Sequence, residues 1–285
     1  MKLGYCTNGL AHHTILGGLE LLASTGFQSA ALCVDHGWLG PADPNFSQTI
    51  EKARDFLTRH NMDTVIEGTA PYILDPLVKH GPSLIEADTA RAATRIDFLR
   101  HCIDIAAELN SKCVSIKSGF KPAGLSYASA LEVFAKHLQT VAMYANEQDV
   151  LIAIEPTPGM LIDNTGRFDR LLVLSKIENL KLTLDVGQLF CLSEVPIASF
   201  IEHWRDRLIN VHLCDVRVGK PEHLVFGEGQ IYFPPIFEAL MNIGYQHNVH
   251  VELDRHSHEA TQVVRDAFKK LDPVFVDITQ SGSRV

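Results

Sequence analysis

Four apolar runs in the second half of the chain carry a metal-capable side chain at or near the same end: Leu151–Glu155, Lys181–Asp185, Asn210–Asp215 and Asn248–Glu252. A period of two puts Glu155 on the face of Ala153, Asp185 with Thr183, His212 with Asn210, and Glu252 with His250. Ile154, Leu184, Val211 and Val251 take the opposite, apolar face, as expected of strands covered by helices. Similar short runs recur along the whole chain and predict strands at 2–6, 29–34, 62–67, 112–117, 150–155, 180–185, 208–213 and 248–252. Between them, longer amphipathic stretches predict helices near 14–25, 47–60, 88–109, 126–147, 168–177, 196–205, 233–243 and 258–271.

Strict alternation of eight strands and eight helices is the pattern of a parallel sheet with right-handed crossovers. An open doubly wound sheet would begin with a glycine-rich phosphate turn, but the first turn reads Cys6-Thr7-Asn8-Gly9-Leu10-Ala11-His12-His13. Closure into a single α/β domain, a (β/α)8 TIM barrel over residues 1–285, accounts for more. It gathers the ends of strands five to eight around one mouth, where βα loops build active sites. No Gly/Ser/Pro linker divides the chain, and about 274–285 is expected to be a frayed tail.

Composition changes this picture little. With 46% hydrophobic and 21% charged residues the chain reads as a water-soluble globular protein, with no apolar run long enough for a membrane span. No signal peptide is read before the first strand, and six cysteines without CxxC pairing suit reduced thiols and a cytoplasmic location. A formal net charge of −9 argues against a nucleic-acid partner.

Three carboxylates and one imidazole (Glu155, Asp185, His212 and Glu252) form a mostly hard donor set suited to Mn²⁺, Mg²⁺ or Co²⁺, with Zn²⁺ also admissible. Any one acid could instead cap a helix or pair with a base; four converging on one mouth need a cation.

With this order in view, the chain resembles the xylose-isomerase-like TIM barrels, and within them the sugar-phosphate isomerase/epimerase branch. The resemblance rests on Ile154-Glu155-Pro156, Leu184-Asp185-Val186-Gly187 and Val211-His212-Leu213-Cys214-Asp215. It extends to His223-Leu224-Val225-Phe226-Gly227-Glu228-Gly229-Gln230-Ile231 and Val251-Glu252, with the GEGxI turn its most specific piece. It implies one divalent metal ion held by Glu155, Asp185, His212 and Glu252. A trinuclear zinc cluster like that of endonuclease IV, of the same superfamily, lacks ligands here: Thr69, Lys117, Gln188 and Pro221 stand where that family places histidines or an aspartate.

The branch implies a small carbohydrate-like substrate bound through a carbonyl and its neighbouring hydroxyl, and proton transfer through an enediolate. Glu155 and Glu252 would be the catalytic acid and base. A dehydratase of keto-cyclitols or 3-dehydroshikimate-like substrates would share these ligands, and a metabolite-binding barrel without catalysis is a third class.

Around them, Lys117 could contact a substrate anion, move a proton, or pair with Glu67 or Glu155. Arg217 matches the family's substrate-binding arginine in position, or is a solvated loop residue; His223 precedes the best-matching turn, and Gln188 stands where many relatives carry a substrate-facing histidine. His256, within Arg255-His256-Ser257-His258, belongs either to a polyol or phosphate clamp or to a polar loop with Ser257 as helix cap. The resemblance also suggests a homo-oligomer, although no exposed stripe demands a partner.

Overall fold

A computed structural model describes residues 1–69 and 71–281 of the chain. In chain order its strands are β1 (Lys2–Cys6), β2 (Ser29–Cys33), β3 (Asp63–Glu67), β4 (Cys113–Ile116), β5 (Leu151–Ile154), β6 (Lys181–Asp185), β7 (Leu208–Leu213), β8 (Asp215–Arg217), β9 (Lys220–Leu224) and β10 (Asn248–Val251). Eight of them close a parallel barrel in the order β1-β10-β7-β6-β5-β4-β3-β2, while β8 and β9 form a separate antiparallel hairpin. The fold is therefore the expected (β/α)8 barrel, with strand ends displaced by at most one residue from those read off the pattern.

The helices are α1 (Ile15–Thr25), α2 (Phe46–Arg59), α3 (Thr89–Glu108), α4 (Tyr127–Glu147), α5 (Thr165–Ser175), α6 (Val186–Cys191), α7 (Ile197–His203), α8 (Pro234–Asn242) and α9 (Ala260–Ser281). Local chemistry starts them: Thr14, Asp88, Ser126 and Asn164 each accept a backbone N–H of the first turn of α1, α3, α4 and α5. None is long and apolar enough to cross a membrane among the described residues.

Two compact units make up the chain. One comprises Met1–Ala31, Phe56–Asp63 and Leu184–Val285, the other Leu32–Asp55 and Thr64–Thr183. In the first, β1 pairs with both β10 and β2, so that Gly4 stands opposite His250 on one side and Ser29 on the other. There too β10 pairs with β7, setting His250 beside His212 and Asn248 beside Asn210. In the second, β4 pairs with β3 and β5, and β5 with β6. Ile154, Leu184, Val211 and Val251 are all at most 1% exposed, so the apolar face is fully covered. Burial of each such side chain contributes about 1.5–3 kcal/mol.

Two expectations need correction. The tail begins as helix: Val264, Ala267, Leu271 and Phe275 keep a buried stripe at helical spacing, and Phe275 meets Phe237 edge-on at 5.6 Å, so α9 runs on to Ser281. Residues 282–285 lie outside the described part. Ser257 does not cap a helix; it sits in a 3-10 turn (Asp254–Glu259) and its hydroxyl stands 2.5 Å from His12 Nδ1. The segment after β7 carries the β8–β9 hairpin, whose strands are too short and too charged to show a period in the sequence.

Candidate metal centre

In the first unit, Asp185 ends β6 and at once caps α6, with no connecting loop. Its Oδ1 accepts the Gln188 backbone N–H at 2.9 Å and its Oδ2 accepts Gln188 Nε2–H at 3.2 Å. Gln188 thus orients Asp185. Gly187 is required here, because a Cβ would come within 2.3 Å of Cys214 Sγ. His212, on β7, presents Nδ1 to Glu252 Oε2 at 3.1 Å, while Nε2 faces the Asn210 amide at 3.0 Å. Glu252 follows β10 directly; its N–H donates to the Leu213 carbonyl at 2.9 Å, and its Oε1 accepts Asn8 Nδ2–H at 2.8 Å. Asn8 is a residue the sequence pattern did not single out, and only its place just past β1 hints at the mouth.

His223, on β9, lies between two acids: Nε2 is 3.8 Å from Asp185 Oδ2 and Nδ1 is 3.2 Å from Asp254 Oδ1. Burial opposes its charging, yet the Glu252, Asp254 and Asp185 carboxylates together push its pKa up to about 9. The field at this mouth is strongly negative, as a cation site requires.

The GEGxI turn is explained by Asp215. Its Oδ2 accepts the N–H groups of Gly227 and Gly229, and its Oδ1 those of Val216 and Ile231, all between 2.8 and 3.1 Å. Any side chain at 229 would collide with it, since a Cβ there falls 2.1 Å from Oδ1. One buried carboxylate therefore ties the hairpin to the turn.

In the second unit, Glu155 follows β5, is 0% exposed, and donates its N–H to the Ile116 carbonyl at 2.9 Å. Lys117, just past β4, pairs with Glu155, its Nζ 3.1 Å from Oε1. Glu67 ends β3 and is likewise buried.

In the first unit, one ligand atom from each of Asp185, His212 and Glu252 lies within 4.8 Å of the others. That is the scale of a shared coordination sphere, in which each donor stands about 2.0–2.2 Å from the ion. Asp185, Cys214 and His223 also cluster, but burial and the neighbouring carboxylates raise the Cys214 thiol well above its ordinary range and keep it protonated. The set of Asp185, His212 and Glu252 is the better fit.

Two other candidates stand apart. Arg217 is exposed and donates Nε–H to the Glu228 carbonyl at 3.2 Å, bracing the turn. His256 lines a cavity of about 260 Å³ with Phe226, Glu228, Asp266 and Lys270, which none of Asp185, His212 and Glu252 lines. Its neighbour Arg255 pairs with Glu222 at 3.1 Å.

The fold and this arrangement agree with a family: the chain belongs to the xylose isomerase-like TIM barrels, whose model matches residues 19–274. More particularly, inosose dehydratase of Lacticaseibacillus casei is 28% identical over 141 residues, 44% of this chain and 47% of that protein. The match thus spans about half the length of that relative. An uncharacterised protein of Methanocaldococcus jannaschii is 24% identical over 278 residues, 94% of this chain and 86% of its own length. Among solved structures, a D-tagatose 3-epimerase-like protein superposes with a TM-score of 0.75 at 21% identity, covering 96% of this chain and 99% of that one. The IOLI protein with a binding zinc atom superposes with a TM-score of 0.79 at 16% identity, covering 98% and 99%. At such identities these structures speak to the fold alone.

Proposed function

We propose that the chain is a divalent-metal-dependent isomerase or epimerase of a sugar, sugar phosphate or cyclic polyol ketone. The observation that carries this is the convergence of Asp185, His212 and Glu252 in the first unit, which together with Glu155 would make a donor set of three carboxylates and one imidazole, two of them glutamates able to exchange protons. These four residues would hold the ion: Mn²⁺, Mg²⁺ or Co²⁺, with Zn²⁺ also suitable. When bound, it would polarise a substrate carbonyl and acidify the adjacent C–H.

Glu155 and Glu252 would take and return that proton. Lys117, at 3.1 Å, favours the ionised form of Glu155, which a base needs. Asn8 donates to Glu252 Oε1 and fixes the direction of that carboxylate. Gln188 holds Asp185 in place and His223 offers an imidazole beside it, so the first positions a ligand and the second is available to a substrate oxygen. Lys117 and Glu67 are the further polar groups for substrate contact, whereas Arg217 and His256 act in the surrounding loops.

The test is incubation of metal-loaded protein with ketoses and cyclic polyol ketones in D₂O, with NMR detection of deuterium at carbon. Uptake that disappears in Glu155→Gln supports the reading. Tight ligand binding without exchange for any substrate makes the barrel a metabolite binder and overturns it. The inosose dehydratase relative favours one second reading, a lyase in which the same proton removal expels a neighbouring hydroxyl. Loss of water, seen as a new enone absorbance, would mark that outcome.

A further inference from the structure

Behind His212 the barrel interior of the first unit is polar. The Asn210 amide reaches His212 Nε2 with Nδ2 at 3.0 Å and His250 Nδ1 with Oδ1 at 2.8 Å. His250 Nε2 then stands 2.8 Å from Ser29 Oγ, which lies 3.1 Å from the Asp63 carbonyl oxygen. Asn210, His212, His250 and Ser29 are all at most 1% exposed. β1 makes room for the chain: a Cβ at Gly4 would fall 2.4 Å from His250 Cδ2 and 2.8 Å from Ser29 Cβ.

An amide's oxygen and nitrogen have nearly the same shape, so a half-turn of Asn210 reverses the direction of the chain without moving a neighbour. The placement of hydrogens distinguishes the two directions. With Nδ2 toward His212, Nε2 accepts and the neutral ring carries its proton on Nδ1, the nitrogen that faces Glu252. His250 must then donate from Nδ1, its Nε2 takes the one Ser29 hydrogen, and the Asp63 contact has none. With the amide turned, His212 Nε2–H donates to Asn210 Oδ1, Asn210 Nδ2–H to His250 Nδ1, His250 Nε2–H to Ser29 Oγ, and Ser29 O–H to the Asp63 carbonyl. Each contact from His212 to Asp63 then has its own hydrogen, and His212 Nδ1 turns its lone pair toward the carboxylates.

We propose that Asn210, His250 and Ser29 are positioning residues: their one-way hydrogen-bonded chain holds His212 as the tautomer whose Nδ1 is presented to a metal ion. A ligating histidine ordinarily donates its other N–H to a fixed acceptor, and here that acceptor is a buried amide whose own direction is set two residues further on. The inference rests on the metal reading above.

The test is ¹⁵N NMR of the histidine rings in the zinc-loaded wild type, with His250 assigned through His250→Gln. His250 and His212 should both be protonated on Nε2 and bare on Nδ1; a proton on His250 Nδ1 overturns the chain. Zinc affinity by chelator competition supplies the second readout. Asn210→Leu should weaken zinc about 10–100-fold. His250→Leu should weaken it several-fold, and His250→Gln, whose amide can accept from Asn210 and donate to Ser29, should restore it. If the Leu and Gln variants bind zinc alike, only the shape at 250 matters and the chain carries no direction. If the wild type binds no zinc, the metal reading and this inference both fall, whereas zinc binding with the opposite tautomer sinks the chain alone.

Discussion

The β4–β5 pair carries one ammonium–carboxylate pair at each end, and the two ends could hardly differ more. Before the strands, Lys112 and Asp149 meet at 3.7 Å with side chains 72% and 97% exposed. Just past them, Lys117 and Glu155 meet at 3.1 Å with side chains 15% and 0% exposed. Water can replace every interaction of the first pair, so that pair contributes almost nothing to stability. Desolvation makes the second pair costly to assemble and costlier to break. A fold gains nothing from such a pair that leucines would not supply, which points to chemistry as the reason for its presence.

The largest effect expected at the buried end is on metal affinity: Glu155→Gln should lower it by more than about 100-fold, beyond what a change to a residue behind a ligand costs. Isothermal titration with Mn²⁺ or Zn²⁺ measures this, and near-wild-type affinity would remove Glu155 from the ligand set. Next, Lys117→Met should destabilise the metal-free protein by about 3 kcal/mol in urea unfolding, since it takes the cation from a buried carboxylate. Saturating metal should shrink that loss; an equal loss with and without metal would mean that Lys117 only packs.

A third measurement concerns the field at the mouth. Because the folded-state pKa of His223 is raised from 6.5 to about 9, its stabilising contribution is complete below the unfolded value and is lost as pH rises through the folded one. The difference in unfolding free energy between wild type and His223→Gln, without metal, should be roughly 3 kcal/mol near pH 6 and vanish above about pH 9.5. A difference that does not change with pH would mean that the carboxylates do not act on His223. The smallest effect belongs to the exposed end, where Lys112→Ala should change stability by less than about 0.5 kcal/mol and leave metal affinity unchanged. Any larger loss there would erase the contrast between the two ends.

Most of the barrel was legible because eight apolar runs and eight amphipathic stretches alternate without interruption. The proposed ligands were legible for a related reason: Glu155, Asp185, His212 and Glu252 keep a fixed place relative to the ends of their strands. What escaped depends on contacts distant in sequence. Asn8 meets Glu252 across 244 positions, and no local period announces it. The directing role of Asn210 and His250 is invisible until β7 and β10 lie side by side in register. Helix α6 was hidden because it starts on the very residue that ends β6 and spans only Val186–Cys191. Continuation of α9 past 271 was missed because Pro273 suggests a stop, whereas the buried stripe runs through it.

The clamp made by Asp215 separates what must stay from what can vary. Four backbone N–H groups converge on that carboxylate at the root of the hairpin, whereas at its tip Val218 is 57% exposed and open space surrounds Gly219, whose φ of 72° reserves that one position for glycine. The tip is thus an exchangeable cassette on an immovable base, and residues can be swapped or inserted there while Asp185 and His212 keep their places. Natural divergence or laboratory evolution toward a new substrate has its easiest path through those few positions.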